Sequence, residues 1–291
     1  MKRTSNGILI PDVPIMAGGN LPNAVKGVSA GGSVDPYSIP FYIIVHTQLQ
    51  IQQTDGLEIS DDMHTWIPVD ERILQSGKYY FLSHNNRVTK PSIVIVSGQN
   101  YDIGGNINSL FGEGYKKDME GRDYNNLFSR QNIVDAHNLC MPVNNSGICT
   151  QMFQYCNLLK SAPQLPATTL NTRAYFCMFQ GCTALVNAPQ LPATTLTDYC
   201  YDGMFNGCTS LVSAPVLVAS VLKPYCYEGI FNGCTALQRI ESHAVDITAN
   251  QALHEWVGGV NASGIFYKKR GVNYPSGNSG IPTDWTVEEI D

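Results

Sequence analysis

The sequence predicts a β-rich mixed fold, in which a small N-terminal β-domain is followed by a solenoid with short strands and helical arms. Two observations carry this prediction. The segment from Cys156 to Cys234 repeats every 26 residues without an insertion, and the segment before it alternates apolar and polar residues between Gly, Asp and Asn turns. A period in the twenties is typical of solenoids, in which each unit buries its apolar edge by stacking on the next.

Each repeat unit carries a cysteine in one frame, with phenylalanine three residues before it and leucine three residues after it. The members are Cys156, Cys182, Cys208 and Cys234, with Phe153, Phe179, Phe205 and Phe231, and with Leu159, Leu185, Leu211 and Leu237. Side chains at a fixed offset lie above one another when all units are equivalent, so we expect three buried columns. Phased leucines of this kind indicate a leucine-rich-repeat solenoid.

Within one unit the apolar spacing changes, which predicts two kinds of structure. A spacing of four residues predicts an amphipathic helical arm over residues 195–207, and its inward stripe is Leu196, Cys200, Met204 and Cys208. Gly207 lies where such a helix ends. After it, Leu211 predicts a short strand, which Pro215 ends because proline has no N–H to donate to a ladder.

Two positions after each frame leucine are expected to face outwards and to differ between units. The candidate ligand-facing residues are Lys160, Ser161, Val186, Asn187, Val212, Ser213, Gln238 and Arg239. A surface that varies over a constant core is typical of recognition, and an ordinary solvated face is the alternative.

Composition limits the partners. The net charge is −6 and only 14% of the residues are charged, which argues against a phosphate-binding surface and so against nucleic acid. No apolar run is long enough to span a bilayer, so we expect no membrane insertion. The opening Met-Lys-Arg is followed by Gly7, Pro11 and Pro14, which would interrupt a secretory apolar segment.

The chain has nine cysteines, and the repeat frame favours one interpretation of them. Four recur at equivalent inward positions beside Phe and Leu, where free cysteine acts as a small buried hydrophobe. No Cys-x-x-Cys pair occurs and the six histidines show no ligand spacing, so we expect no metal site and no cofactor. No catalytic arrangement is evident either: residues 277–280 lack nucleophile-turn spacing, and residues 60–66 predict a hairpin loop with Trp66 packed against the sheet. We therefore expect no enzymatic activity.

Composition divides the chain into four regions. Residues 1–38 form an extended N-terminal attachment arm, and residues 39–105 form a small β-sandwich or barrel. The leucine-rich-repeat solenoid with its N-terminal cap covers residues 106–260, and a C-terminal β-hairpin cap covers residues 261–291. The arm is apolar without a period, so we expect a neighbouring subunit to bury its apolar residues, which are Ile8, Leu9, Ile10, Val13, Ile15, Met16 and Leu21.

The repeated Met-Phe-x-Gly-Cys-Thr-x-Leu-x-x-Ala-Pro-x-Leu-Pro-Ala-Thr-Thr-Leu, as found at residues 178–196, resembles the BspA-like leucine-rich repeats, also called Treponema-type. Residues 104–112 resemble the motif that opens such arrays. Residues 263–267 and 279–287 resemble their closing segment, so the resemblance covers roughly residues 55–291. Proteins of this class are abundant in Bacteroidales and their phages, with roles in adhesion, ligand display and virion fibres.

The resemblance implies two classes of function. The first is a virion protein of a crAss-like bacteriophage, such as a head fibre, tail fibre or capsid decoration subunit. The arm would bind other virion proteins, a homo-oligomer is expected with a trimer suggested by fibre architecture, and the solenoid would contact a host surface glycan or protein. The second is a bacterial cell-surface adhesin. Such adhesins carry a signal peptide or lipobox, and because the chain shows neither after Met1 we expect the virion location.

Overall fold

The computed structural model describes residues 2–3, 9–10, 38–52, 56–83, 95–98, 100–111, 124–143 and 149–291. A 3₁₀ helix spans Ile107–Phe111. The strands are β1 Lys2–Arg3, β2 Leu9–Ile10, β3 Phe41–Ile51, β4 Leu57–Ser60, β5 Ile67–Pro68, β6 Arg72–Ser83, β7 Ile95–Gly98, β8 Tyr101–Asn106, β9 Ile133–Cys140, β10 Arg239–Ser242, β11 Ile265–Lys269 and β12 Thr286–Ile290.

Strands β3 to β9 form one mixed sheet in the order β5-β4-β6-β3-β8-β9, and β7 also pairs with β3. Its neighbours are antiparallel except β8 and β9, which are parallel. Alternation along β3 buries Phe41, Ile43 and Val45 on one face. The sandwich or barrel predicted for residues 39–105 is wrong, because these strands form one open sheet that also recruits β9 from beyond the predicted boundary.

The sheet continues into the repeat units through parallel bridges of one residue each. Asp135 of β9 pairs with Ser161, and the bridges then run through Asn187 and Ser213 to Arg239 of β10. From there β10 pairs with β11, and β11 with β12, all in parallel. The closing β-hairpin predicted for residues 261–291 is therefore wrong, since a hairpin requires antiparallel strands.

The segments predicted as helical arms are chains of linked turns. Between residues 173 and 182 alternate N–H groups donate within the segment, to the carbonyl three residues earlier, or across to the carbonyl 25 residues later. Phe179, for example, donates to Met204 at 2.9 Å, whereas Cys182 donates to Phe179 at 3.0 Å. An α-helix would place every bond within its own segment, four residues back. Units joined in this way, over residues 149–260, are called the repeat stack below.

The predicted fold class, a small β-domain followed by a leucine-rich-repeat solenoid with short strands and helical arms, is wrong on this account. The described residues contain no α-helix, and they form sheets and linked turns. The error came from the four-residue spacing of the apolar stripe. At 3.6 residues per turn, three such steps would carry the stripe about 120° around a helix, so a strict spacing of four does not define a helix face.

The four-residue spacing reflects a backbone with positive φ at every fourth position. In one unit these residues are Tyr199, Gly203 and Gly207, with φ of 58°, 61° and 72°. The units on either side repeat the pattern, for example at Arg173, Cys177 and Gly181. Because L-residues enter this region at some cost, a regular series of them persists only where hydrogen bonds to both neighbouring units hold the backbone.

One aromatic column passes through the whole described core. Phe41 of β3 stacks on Phe128, with ring centroids 5.6 Å apart, and Phe128 lies 5.4 Å from Phe153. The column continues at spacings of 5.5 to 6.0 Å through Phe179, Phe205 and Phe231, and it ends on Trp256. The predicted burial in register of the four frame phenylalanines is confirmed, since each is 0% exposed.

Replacing Phe205 with Ala should lower the free energy of unfolding by about 3 to 5 kcal/mol, because it empties a closed site between two stacked rings. Phe205→Leu, which keeps most of the volume, should cost about 1.5 kcal/mol or less. Urea melts of the full chain measure both. A loss below about 1 kcal/mol for the alanine variant would contradict the column.

Alanine substitutions at two glycines with the same φ distinguish the cost of the backbone conformation from the cost of steric crowding. Gly181 and Gly207 have φ of +73° and +72°, but a Cβ on Gly181 would lie 2.4 Å from the Tyr155 ring, whereas on Gly207 its nearest neighbour is 3.8 Å away. Gly207→Ala should cost about 1 to 2 kcal/mol from backbone conformation alone. Gly181→Ala should cost about 1 to 3 kcal/mol more. In the background of Tyr155→Ala the difference between the two should vanish, and equal losses with Tyr155 present would refute the crowding.

Candidate functional site

The eight residues predicted to face a ligand lie together in two adjacent columns of the repeat stack. Ser161, Asn187, Ser213 and Arg239 are joined in turn by the parallel bridges. The residue before each of them, Lys160, Val186, Val212 or Gln238, forms the second column, and all four are exposed. These eight residues are called the recognition row, and their role in binding stays a prediction.

The row is exposed because each bridge is only one residue long. The frame leucine before the row and the alanine or isoleucine after it turn inwards, so two consecutive side chains between them point out. Val186 and Val212 are thus 44% and 43% exposed, although Leu185 and Leu211 beside them are completely buried. The sequence thus places an exposed apolar side chain here in the second and third of the four units.

Towards the N-terminus, the row continues onto the outer face of the mixed sheet. Ser161 pairs with Asp135, Asp135 with Asp102, Asp102 with Ile44, and Ile44 with Lys78, and directly paired residues point to the same face. Both carboxylates are next to histidines: His46 Nε2 lies 3.0 Å from Asp102 Oδ2, and His137 Nδ1 lies 2.6 Å from Asp135 Oδ1. This part of the face therefore carries carboxylate–histidine pairs, and the eight residues of the row include neither kind of side chain.

Lys78 and two tyrosines complete that end of the face. The Lys78 ammonium lies 3.6 Å from the centroid of the Tyr42 ring and 5.1 Å from that of Tyr80. Burial lowers the pKa of Lys78 and raises the pKa of Tyr42 to about 12. The Tyr42 ring occupies the space beside Gly104, because a Cβ on Gly104 would lie only 2.4 Å from that ring.

Towards the C-terminus, the row ends in a group whose charges satisfy each other. Arg239 donates to Glu241 at 2.7 Å, and its guanidinium lies 4.0 Å from the centroid of the Tyr267 ring. The other oxygen of Glu241 lies 2.9 Å from His243 Nε2. Arg239 is therefore held as part of the surface and is not a free cation.

A second polar cluster, on the turns of the repeat stack, was not predicted. Asp202, Glu228 and His254 occupy one column at intervals of 26 residues, and His254 Nδ1 lies 3.1 Å from Glu228 Oε1. Tyr199 and Tyr225 stack at 4.5 Å in a neighbouring column, with the Arg173 guanidinium 5.1 Å from the Tyr199 ring. Aligning the units in their 26-residue frame would have shown both columns. The sequence has no other signal for them.

The Asp202 carboxyl titrates near neutrality. Burial and, to a smaller extent, the neighbouring Glu228 raise its pKa to about 7, although Arg173 opposes the shift. Beside it, the pKa of the Cys177 thiol is raised to about 12 by burial and by Asp202. The cluster thus holds an acid that changes charge in the physiological range, at the junction of two units.

The frame cysteines are structural. Their Sγ atoms donate to the carbonyls of phenylalanines in the preceding unit, Cys182 to Phe153 at 3.1 Å and Cys208 to Phe179 at 3.1 Å. Burial raises the pKa of both thiols well above the usual value, which disfavours the reactive thiolate. None of the nine cysteines forms a disulfide, and eight of them are buried while Cys140 is partly exposed.

Within the described part of the chain, no three side chains of His, Cys, Asp or Glu are grouped so that they would hold a metal ion. In the same residues no helix has the length and apolar character needed to cross a bilayer. The loop predicted at residues 60–66 joins β4 and β5 as a hairpin, and Trp66 is half-buried. There Asp62 accepts the N–H groups of His64 and Thr65, which holds its pKa below the usual range.

The attachment arm lies almost entirely outside the described residues. Of its predicted contact residues, Leu9 and Ile10 form β2, which pairs antiparallel with β1. Ile8, Val13, Ile15, Met16 and Leu21 fall outside the described residues.

No family model, curated protein or solved structure matches the chain.

The pH dependence of stability should report on Asp202. Its pKa is raised from 3.8 to about 7 in the folded chain, so the folded state binds more protons than the unfolded state between these values. The contribution of Asp202 to stability should therefore be greatest below about pH 4 and should fall as the pH rises from there to about 7. Asp202→Asn should remove about 1 to 2 kcal/mol of that fall, a value reduced for solvent screening. Urea melts at pH 5 and pH 8 test this prediction, with Asp198→Asn as the exposed control in the same unit. The assignment would be contradicted if the free energy of unfolding changed equally between the two pH values in the wild type and both variants.

The cysteines should be reduced in the working protein. Alkylation of the unfolded, unreduced protein should label all nine thiols, because none is in a disulfide and burial protects eight of them from oxidation. Mass spectrometry measures the labelling. Recovery of one stoichiometric disulfide-linked peptide would reverse this assignment.

Proposed function

We propose that the protein is a non-enzymatic structural and display protein of a phage virion. It attaches to the capsid or tail and exposes the repeat stack for adhesion to a host surface. Attachment is through residues 1–38, in contact with other virion proteins and with copies of the same chain, and a trimer fits a fibre.

The observation that carries the display role is the recognition row. Seven of its eight side chains are exposed and Ser161 is partly exposed, and the residue types of the row differ between units except that Val and Ser each recur once. The phenylalanine, cysteine and leucine columns beneath them repeat without change over the four units of the frame. The constant columns form the buried core of the repeat stack. A row of exposed side chains that differ between units, carried on an unchanging core, is what a binding surface on a fixed scaffold requires.

Two further features agree with a display role. The frame thiols are buried and bonded to backbone carbonyls, so they are not available as nucleophiles. The aromatic column joins the mixed sheet to the repeat stack through Phe41 and Phe128, which supports the row on a continuous packed core. The virion location is supported by the resemblance of the repeats to those of Bacteroidales phages.

A fractionation experiment tests the location. Antibodies against the chain should label purified virions from a lysed culture, and mass spectrometry should find the protein at a fixed ratio to the major capsid protein. Its absence from virions, together with its removal from intact uninfected cells by added protease, would overturn the proposal. That result would instead favour the alternative function, a bacterial cell-surface adhesin.

A further inference from the structure

One column of the recognition row, extended by one position beyond it, presents a strip of regularly spaced side chains. Ser161, Asn187, Ser213, Arg239 and Ile265 are successive partners in a parallel ladder, and so they point to one face. At about 4.8 Å per strand, these five positions span about 19 Å. The strip is long enough for several units of a linear polymer laid across the ladder.

The backbone N–H and C=O groups along this strip are already hydrogen-bonded between neighbouring units. Val212 donates to Val186 at 3.4 Å, Gln238 to Val212 at 2.9 Å, and Ile265 to Gln238 at 2.9 Å. A peptide that binds by adding a strand needs a free edge of N–H and C=O groups, which residues 186–265 do not offer along this ladder. A ligand here is bound by side chains.

The side chains on the strip carry almost no available charge. Ser161, Asn187 and Ser213 offer hydroxyl and amide groups, which both donate and accept hydrogen bonds. Arg239 is occupied by Glu241 and by the Tyr267 ring, which leaves Lys160 at one end as the exposed cation of the row. A phosphate, sulfate or carboxylate ligand would need a cluster of cations that this strip lacks.

Small apolar side chains alternate with the polar ones. Val186 precedes Asn187 and Val212 precedes Ser213, and both valines are more than two-fifths exposed. A neutral pyranose has the matching chemistry, with hydroxyl groups around its rim and C–H groups on its faces. The rim would bond to the polar column while a face covers the valine column.

We propose that the recognition row binds a neutral oligosaccharide laid across the repeat units. Asn187 and Ser213 hydrogen-bond its hydroxyl groups, and Val186 and Val212 contact its C–H faces. The proposal rests on the proposed display function and names the chemical class of its ligand.

The test uses the full chain and a panel of soluble glycans in two sets, one of neutral hexose and N-acetylhexosamine oligomers and one of uronate, sialylated or sulfated oligomers. Binding is measured by calorimetry for the wild type and two variants. Val212→Glu places a charge within the row, and Val221→Glu places the same charge at a residue that is equally exposed, 44% against 43%, but outside the row. We expect at least one neutral oligomer to bind, a loss of tenfold or more with Val212→Glu, and unchanged affinity with Val221→Glu. Binding of acidic oligomers only, or equal losses with both variants, would overturn the proposal.

A second measurement separates this inference from the proposed function. Labelled protein is applied to intact host cells before and after periodate oxidation, which cleaves the vicinal diols of sugars. Adhesion that is lost with Val212→Glu and with periodate supports both claims. Adhesion that is lost with Val212→Glu but survives periodate and is abolished by protease treatment of the cells overturns the glycan and keeps the display function. Adhesion that Val212→Glu leaves unchanged overturns both.

Discussion

The structure depends on hydrogen bonds that join each backbone segment to the segment 25 residues later. In the repeat stack these bonds alternate with bonds inside the same turn, so that no unit is complete without its neighbour. Because the register is fixed, side chains of one kind lie above one another, as the phenylalanine rings do at 5.4 to 6.0 Å from Phe128 to Phe231. The regular backbone, the buried columns and the exposed row are consequences of one repeated length.

The same register organises the polar chemistry. It aligns uncharged groups in the recognition row, and it places Asp202 next to Glu228 on the turns, where one carboxyl is raised to a pKa of about 7. The recognition row and the turn cluster differ in their charged groups. Apart from Lys160 and Arg239 the row consists of uncharged side chains, whereas the turn cluster places two carboxyl groups at the junction between units. On the proposed function, one face of the stack would serve recognition, while the carboxyl groups on another face would make the contact between units depend on pH.

Much of the buried part was predictable, because the period, the frame cysteines and the inward leucines are explicit in the sequence. The same frame places the recognition row on the surface, where seven of its eight residues are exposed, and its role in binding stays a prediction. The backbone between the columns was not predictable from apolar spacing. Leu196, Cys200, Met204 and Cys208 fit a helix stripe by type, and only the positive φ values at Tyr199, Gly203 and Gly207 reveal the turns. Tyrosine in that conformation has no sequence signature, and the glycines at 203 and 207 are equally compatible with a helix end. The parallel pairing of β11 and β12 was missed because two apolar segments near a terminus fit a hairpin equally well.

The most direct test of whether the register between units determines the fold is a pair of deletions that differ in length by one residue. Removing residues 183–208 joins Cys182 to Thr209, which is equivalent to Thr183 one unit later, and restores every column with one unit fewer. Removing residues 183–209 shifts all later columns by one position. In chemical denaturation followed by circular dichroism, the first deletion should give a single cooperative transition like that of the full chain. The second should lose cooperativity, because phenylalanine would then face the wrong column. Equal, cooperative unfolding of both would show that the register between units does not determine the fold.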